Sequence, residues 1–252
     1  MSDSLAAATA KPSSRSSSSR QPRLGRRHVF SALLLATFSA AHAARPLITD
    51  DARVVDYKAC QVESWVKKNS DSTEYWALPA CNFTGNVEVA LGGAMTHDPQ
   101  GTSVSDVALQ VKTLVRPLTT DGWGAAFSVG TVRHRQLTGE RDWYVNVPVS
   151  FSFRDDRFVL HTNVGALREQ ETRRTLATWG IGSETRLTDR TWLIAESFGQ
   201  QHGKPALQMG LRHWIIENRV QIDATYGAPL HHPAGERWVS IGLRLLSPPF
   251  LP

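Results

Sequence analysis

Ser150 and His161 are the residues whose types and spacing come closest to those of a nucleophilic catalyst. A tight turn centred on Asp155 and Asp156 would place Ser150 opposite His161, and a serine hydrolase needs its serine within reach of a histidine. The histidine must also be oriented by a third group, and the sequence around the pair identifies none. A Ser-His pair without such a group is more often a hydrogen-bonded interior pair. We therefore expect no catalytic residues and no enzymatic activity.

Metal binding is a second chemistry to weigh. His231 and His232 lie in a predicted loop, and His202 lies in a neighbouring one. Together they could bind a metal ion, although loop histidines are usually only solvated. The thiols of Cys60 and Cys81 have no nearby histidine pair, so they make half a zinc site at best. We expect no metal and no other cofactor.

The two cysteines are better explained as a disulfide. They are placed symmetrically about a turn-like stretch, Asn69 to Ser72. A hairpin folded at that stretch sets Cys60 opposite Cys81, close enough for a bridge. Such a bridge persists only in an oxidising compartment, so this prediction requires that the chain is exported.

The beginning of the chain has the composition of an export signal. Four arginines between residues 20 and 27 precede an apolar run from Val29 to Ala41, and a small-x-small site follows. This order is typical of a secretory signal peptide, with cleavage between Ala43 and Ala44. The apolar run is shorter than the roughly 20 residues that a membrane helix needs. We predict a disordered leader and signal peptide over residues 1–43 and one mature domain over 44–252.

The positive charge of the whole chain resides in that leader. The chain has 28 basic and 23 acidic residues, of which residues 1–43 hold six and one. The mature part therefore has 22 of each and is formally neutral. A nucleic-acid-binding protein needs surplus Lys and Arg to neutralise phosphates, so this class of partner is excluded.

Alternation with a period of two runs through the mature part. Between Asp142 and Arg154, for example, six large apolar residues alternate with residues that are mostly polar. Such alternation predicts strands with one apolar and one polar face. Counting the segments gives about twelve strands of roughly ten residues, the length that a tilted strand needs to cross a bilayer.

The predicted connections differ between the two ends of these strands. Short turns follow the even-numbered strands, at 82–85, 117–121, 155–156, 188–190 and 217–218. Longer loops follow most odd-numbered strands, at 97–102, 134–141, 168–173 and 227–236. Short periplasmic turns and longer surface loops are typical of outer-membrane barrels. The predicted fold is therefore all-β, a transmembrane antiparallel up-and-down β-barrel in the bacterial outer membrane.

Energetics decide which face of the barrel meets lipid. An Arg or Lys in mid-bilayer costs about 2 to 4 kcal/mol, so the apolar face points outward and the polar face lines the lumen. Glu196 is assigned to the lumen on this cost alone, because alternation puts it on the same face as Ile194 and Phe198. The predicted lumenal residues are Lys112, Ser150, His161, Glu184, Glu196, Arg212, Asp223 and Arg244.

The turn at 217–218 fixes a register for the neighbouring strands. It sets Arg212 opposite Asp223 and Ile215 opposite Val220. We expect one lumenal ionic cluster on the last five strands, because a charge in a narrow interior must be paired. Its predicted members are Arg212, Asp223, Glu184, Arg244 and Glu196.

The C-terminal third resembles a known group of proteins. The stretches Trp192 to Gly199, Gln208 to Trp214, Val220 to Gly227 and Ser240 to Arg244 resemble uncharacterised proteobacterial outer-membrane barrels, and in particular the phenol-degradation meta-pathway (MetA-type) transporters. This resemblance implies an outer-membrane barrel and does not identify a substrate. Such a barrel is expected to contact outer-membrane lipids and to be assembled by the barrel-assembly machinery, with a small solute as a further expected partner.

Three functions remain open at this point. The sequence favours a channel or facilitator for small solutes. The alternative is a barrel filled by side chains that serves envelope integrity, and a lipid-modifying barrel enzyme is the least favoured. About twelve strands falls between small filled barrels and wide porins, so size does not decide.

Overall fold

The computed structural model describes residues 46–134, 141–230 and 236–252, which form a barrel of twelve strands. The strands are β1 (Cys60–Lys68), β2 (Thr73–Asn82), β3 (Val87–Asp98), β4 (Gly101–Arg116), β5 (Trp123–His134), β6 (Arg141–Phe153), β7 (Phe158–Glu169), β8 (Arg174–Arg186), β9 (Thr191–Gln200), β10 (Ala206–Ile216), β11 (Val220–Pro229) and β12 (Trp238–Leu246).

Each strand pairs with its neighbours in sequence, and β1 pairs with β12 to close the barrel. The closing pair is antiparallel and runs from Gln61 opposite Leu246 to Lys68 opposite Val239. Closure satisfies every strand's backbone groups, as a structure in lipid requires. The prediction of an all-β, up-and-down barrel of about twelve strands is confirmed. The described residues contain no helix suited to crossing a membrane.

The outer surface of the barrel is apolar. Large apolar side chains point outward on nearly every strand, and Leu91, Val164 and Ile241 are each more than half exposed. A soluble monomer rarely exposes an apolar surface of this extent. The band is suited to lipid, while the polar residues of the alternating strands point inward.

The hairpin of β6 and β7 has the predicted register. Phe153 lies opposite Phe158, and Ser150 lies opposite His161. Asp155 and Asp156 both have positive φ, of 55° and 59°, which the mirror-image hairpin turns require. The prediction of a tight turn at these two residues is confirmed.

The register of β10 and β11 is partly as predicted. Arg212 lies opposite Asp223, but Ile216 lies opposite Val220, and the register shifts between Trp214 and Ile216. The prediction that Ile215 faces Val220 is wrong. An irregularity at the strand end adds one residue to β10, which a sequence pattern of period two does not reveal.

The connection between β3 and β4 is shorter than predicted. Only Pro99 and Gln100 separate the two strands, where a loop over 97–102 was expected. The Asp98 carboxylate accepts hydrogen bonds from the amides of Gln100 and Gly101, at 2.9 and 3.1 Å, and Gly101 has a φ of 133°. The predicted difference between short and long connections therefore fails at this hairpin.

Candidate functional site

The lumen of the barrel contains a segment of the chain itself. Residues 46–59, here called the inner segment, precede β1 and lie among inward-facing side chains. Leu47, Thr49, Asp50 and Ala52 are each at most 4% exposed. Local bonds shape the segment, because the Asp50 carboxylate accepts from the Asp51 amide and the Asp51 carboxylate accepts from the Arg53 amide. Such turns are favoured by Asp.

Only the end of the inner segment, at Lys58 and Ala59, hydrogen-bonds to the backbone of a strand. Before that end, side chains of the barrel wall bind several of its amides. Glu196 on β9 accepts hydrogen bonds from the amides of Ile48 and Thr49, the shortest at 2.7 Å. Ser150 Oγ on β6 accepts from the amide of Ala52 at 2.9 Å. These bonds link the segment to positions about a hundred or more residues away in sequence.

Other wall side chains continue the same pattern along the segment. The Asn163 amide group accepts from Asp50 N at 2.8 Å and donates to Asp50 O at 2.7 Å. Glu88 on β3 accepts from Val55 N at 2.8 Å, and Gln208 donates to the carbonyl of Pro46 at 2.8 Å. The polar wall thus binds the main chain of the segment from one end to the other.

Lys112 binds two of the three acidic residues of the inner segment, Asp50 and Asp51. Its ammonium lies 2.7 Å from Asp50 Oδ1 and 3.1 Å from Asp51 Oδ1, and all three residues are less than 5% exposed. Buried charges need partners of this kind, since desolvation costs several kcal/mol per ion. The sequence placed Lys112 in the lumen but did not reveal its partners.

Glu184 is the centre of a second ionic group. Both of its oxygens accept from Arg212, at 2.8 Å each, in the two-pronged geometry that makes such pairs strong. Arg53 of the inner segment lies 3.4 Å from the same carboxylate. Glu184 therefore joins the wall to the segment.

Ser150, His161 and Glu184 form a chain of contacts. Ser150 Oγ lies 2.8 Å from His161 Nδ1, and His161 Nε2 lies 3.5 Å from Glu184 Oε1. Glu184 is thus the third group that the sequence did not identify. The carboxylate is already bound by Arg212, and Ser150 Oγ already accepts from Ala52. In this arrangement the chain of contacts anchors the inner segment.

The residues of the predicted ionic cluster also have partners outside the last five strands. Arg212 and Glu184 are bonded, and Asp223 lies opposite Arg212. Arg244 instead binds Gln61 Oε1, at 2.6 and 2.9 Å, and lies 3.4 Å from Glu63 on β1. Glu196 accepts hydrogen bonds from amides of the inner segment. The prediction counted only the last five strands, whereas β1 and the inner segment supply partners.

On β9 bulky apolar residues share the inward face with a carboxylate. Ile194 and Phe198 point inward together with Glu196, and all three are buried. Leu47 of the inner segment packs against Ile194, and Phe198 contacts Trp238 with ring centroids 6.4 Å apart. The apolar side chains point inward because the segment gives them an apolar partner there.

The lumen beyond the inner segment contains apolar side chains. Val132, Tyr144 and Leu167 form a buried cluster with Ala108. Between the inner segment and the wall formed by β12 and β1 to β4 lies a cavity of about 20 Å³, bordered by Arg53, Lys112 and Arg244 among others. That volume holds about one water molecule. The inner segment therefore leaves little open space against this part of the wall.

The disulfide lies where the inner segment meets the barrel. Cys60 and Cys81 are bonded to each other and face one another across β1 and β2, which confirms the predicted pairing. Lys58 N donates to Asn82 O at 2.8 Å just before the bridge.

The remaining predicted residues are those of the cleavage site and the three loop histidines. Ala43 and Ala44, the predicted cleavage site, lie outside the described residues, as do His231 and His232. His202 lies in the connection between β9 and β10, with a φ of 64°.

Several solved structures share this fold. A KdgM porin in complex with disordered oligogalacturonate aligns with a TM-score of 0.58 and 5% identity over 73% of this chain and 98% of the porin. The NanC porin aligns with a TM-score of 0.55 and 8% identity over 75% of this chain and 98% of the porin. An outer-membrane channel from Pseudomonas putida F1 aligns with a TM-score of 0.50 and 9% identity over 75% of this chain and 94% of the channel. At these identities the comparisons show the fold alone. No curated protein matches the sequence.

A family model described as uncharacterised conserved protein UCP029691 matches residues 31–246, which include all twelve strands. The chain therefore belongs to this uncharacterised conserved family.

Proposed function

We propose that this protein is an outer-membrane channel for small solutes whose lumen is closed by the inner segment. The observation that carries the proposal is the way the segment is held. Polar wall side chains such as Glu196, Asn163 and Ser150 bind its main chain. Lys112 binds the carboxylates of Asp50 and Asp51. Each of these wall groups can bind water instead if the segment leaves.

A permanently filled barrel would favour a different interior. Replacing a buried ion pair by apolar side chains of similar volume is often neutral or stabilising. A lumen filled for stability alone therefore gains nothing from Lys112 facing Asp50 and Asp51, or from Arg212 facing Glu184. A polar wall is what water and solutes need in an open state, and this favours the channel over the structural barrel.

The related folds agree with this proposal. The three similar structures are two porins and an outer-membrane channel, and one porin contains oligogalacturonate. We further propose the outer membrane as the location, outer-membrane lipids and the barrel-assembly machinery as partners, and removal of residues 1–43 before residues 44–252 assemble. The resemblance to phenol-degradation barrels remains a hypothesis about the finer family and does not identify the solute.

Catalysis is not part of the proposal. A nucleophile must be accessible to its substrate. Ser150 Oγ is covered by the inner segment and already accepts a hydrogen bond from the amide of Ala52. The Glu184 carboxylate is shared between Arg212 and Arg53, so it is a weak orienter for His161.

Reversing one charge in the inner segment tests the proposal. Asp50→Lys places two ammonium groups where Lys112 now meets a carboxylate, which should expel the segment and leave the wall intact. Asp56→Lys is the matched control, because Asp56 belongs to the same segment but is exposed. In planar bilayers we expect steady conductance from Asp50→Lys and little from the control or the unaltered chain.

Folding is checked by heat-modifiable gel mobility. A folded Asp50→Lys barrel that conducts no more than the control would contradict the proposed channel and favour the structural barrel.

A further inference from the structure

We infer that the opened lumen selects cations, and that Glu196 and Glu88 are the residues that make it do so. This inference rests on the proposed function, because it concerns the same lumen after the inner segment has left.

The wall's own ion pairs remain when the segment leaves. Arg212 and Glu184 both belong to wall strands, as do Arg244 and Glu63. Lys67 on β1 is paired with Glu74 on β2, with the ammonium 3.3 Å from the carboxylate. These pairs contribute no net charge to the open lumen.

The wall groups that bind the inner segment lose those partners when it leaves. Lys112 loses both of its carboxylate partners, because Asp50 and Asp51 belong to the segment. Glu196 loses the amides of Ile48 and Thr49, and Glu88 loses the amide of Val55. One ammonium and two carboxylates are thus uncovered, and they carry one net negative charge. Glu88 lies opposite Lys112 across β3 and β4, so without Glu88 the charge of Lys112 would be left uncompensated.

The rest of the described wall adds further negative charge. His134 Nδ1 lies 2.6 Å from Asp106, and its Nε2 lies 3.3 Å from Asp142, so two carboxylates share one imidazole. Asp223 lies inward on β11 and is buried. Among the described lumenal groups, carboxylates therefore outnumber cationic side chains once the segment has left.

Carboxylates along a pore attract cations and exclude anions. Glu196 and Glu88 already bind N–H donors, at 2.7 to 3.0 Å. A solute with ammonium or other N–H groups can replace those amides without leaving a carboxylate unpaired. The solute class that fits is a small organic cation, with inorganic cations as the simplest case.

Reversal potentials in a potassium chloride gradient test the inference in the full chain, opened by Asp50→Lys. We expect a potential of the sign that potassium permeation gives. The added lysine works against this outcome, so the result cannot arise from the opening substitution.

Adding Glu196→Gln or Glu88→Gln should then weaken the selectivity. A unit charge about 8 Å from an ion in water changes the local ion concentration by about twofold, in opposite senses for K+ and Cl−. Each substitution should lower the permeability ratio by about fourfold. Asp189→Asn is the control, because its carboxylate lies at a turn and is 96% exposed, and it should leave the ratio unchanged.

The outcomes separate the two proposals. A conducting barrel that prefers chloride overturns the inference and leaves the channel standing. A cation preference that neither glutamine substitution changes overturns the assignment to Glu196 and Glu88. A folded barrel without current overturns the proposed function and the inference together.

Discussion

Lys112→Met should release the inner segment from the barrel wall. The substitution removes the only cation that the structure places within 3.1 Å of both Asp50 and Asp51 among the described residues. The buried Asp50 carboxylate then loses its cationic partner, and Asp51 keeps only Arg53, 3.6 Å away. Breaking a buried pair in this way costs about 3 to 5 kcal/mol. Because 1.4 kcal/mol is a factor of ten, the equilibrium between bound and released segment should shift by about a hundredfold or more.

The cost is limited to the segment, because released carboxylates are hydrated again. The barrel strands should keep their pairing, and the gel mobility of the folded barrel should not change. Lys112→Met combined with Asp50→Asn and Asp51→Asn should recover most of the bound state, since no buried charge remains unpaired.

A cysteine at Thr49 reports the release directly. Thr49 is 2% exposed, and the native cysteines are bonded to each other, so Thr49→Cys supplies the reactive thiol. Its rate of labelling by a water-soluble maleimide should rise about a hundredfold with Lys112→Met. Lys67→Met is the matched control, because Lys67 pairs with Glu74 on the wall and not with the inner segment. Equal labelling rates in Lys112→Met and Lys67→Met would refute the reasoning.

Three further predictions follow from the same contacts. Arg212→Met and Glu184→Gln should each lower the free energy of unfolding, measured by denaturant titration, by about 3 to 5 kcal/mol. The double variant should lose clearly less than the sum of the two losses, and additive losses would contradict the pairing. Ser150 should not react with a fluorophosphonate probe in the folded, closed barrel, and labelling abolished by His161→Ala would instead establish catalysis. The unfolded, non-reduced protein should show no titratable thiol, and replacing Cys60 and Cys81 by serine should cost about 3 kcal/mol, the value for a bridge across 21 residues; free thiols before reduction would contradict the bridge.

The strands could be predicted because their signal is local and repeated. Alternation gave the number of strands, and the turn at Asp155 and Asp156 fixed the register of Ser150 opposite His161. The cysteine pair was predictable for a similar reason, since both residues lie at the same distance from one turn. The irregularity near Ile215 escaped prediction because one added residue leaves no mark in such a pattern.

The inner segment could not be predicted in the same way. It has no periodic pattern, and its partners, such as Glu196 for Ile48, are far away in sequence. One available signal was energetic. Glu196 sits on a face with Ile194 and Phe198, and a carboxylate among apolar residues requires donors that the neighbouring strands do not obviously supply. That requirement pointed to an additional element in the lumen.

The same missing element explains why the partners of Lys112 and Glu196 were not predicted. Without the inner segment, Lys112 had no identified partner, and Glu196 was assigned to a cluster with Arg212 and Arg244. The positions of these side chains on the inward face followed from alternation. Their partners depended on which strands and segments meet across the lumen, and this is set by closure of the barrel.

The most direct test of a channel closed by its own inner segment is to lock that segment in place. A Cβ atom at Gly182 would lie 3.3 Å from the Cβ of Thr49, close to the separation of about 3.8 Å that a disulfide spans. The variant Thr49→Cys with Gly182→Cys can therefore be bridged, in a chain that also carries the opening substitution Lys112→Met.

Its conductance in planar bilayers should depend on that bridge. We expect no steady current from the oxidised form and a steady current after reduction, while Lys112→Met alone should conduct with or without reductant. An oxidised, bridged barrel that conducts as well as the reduced one would contradict closure by the inner segment.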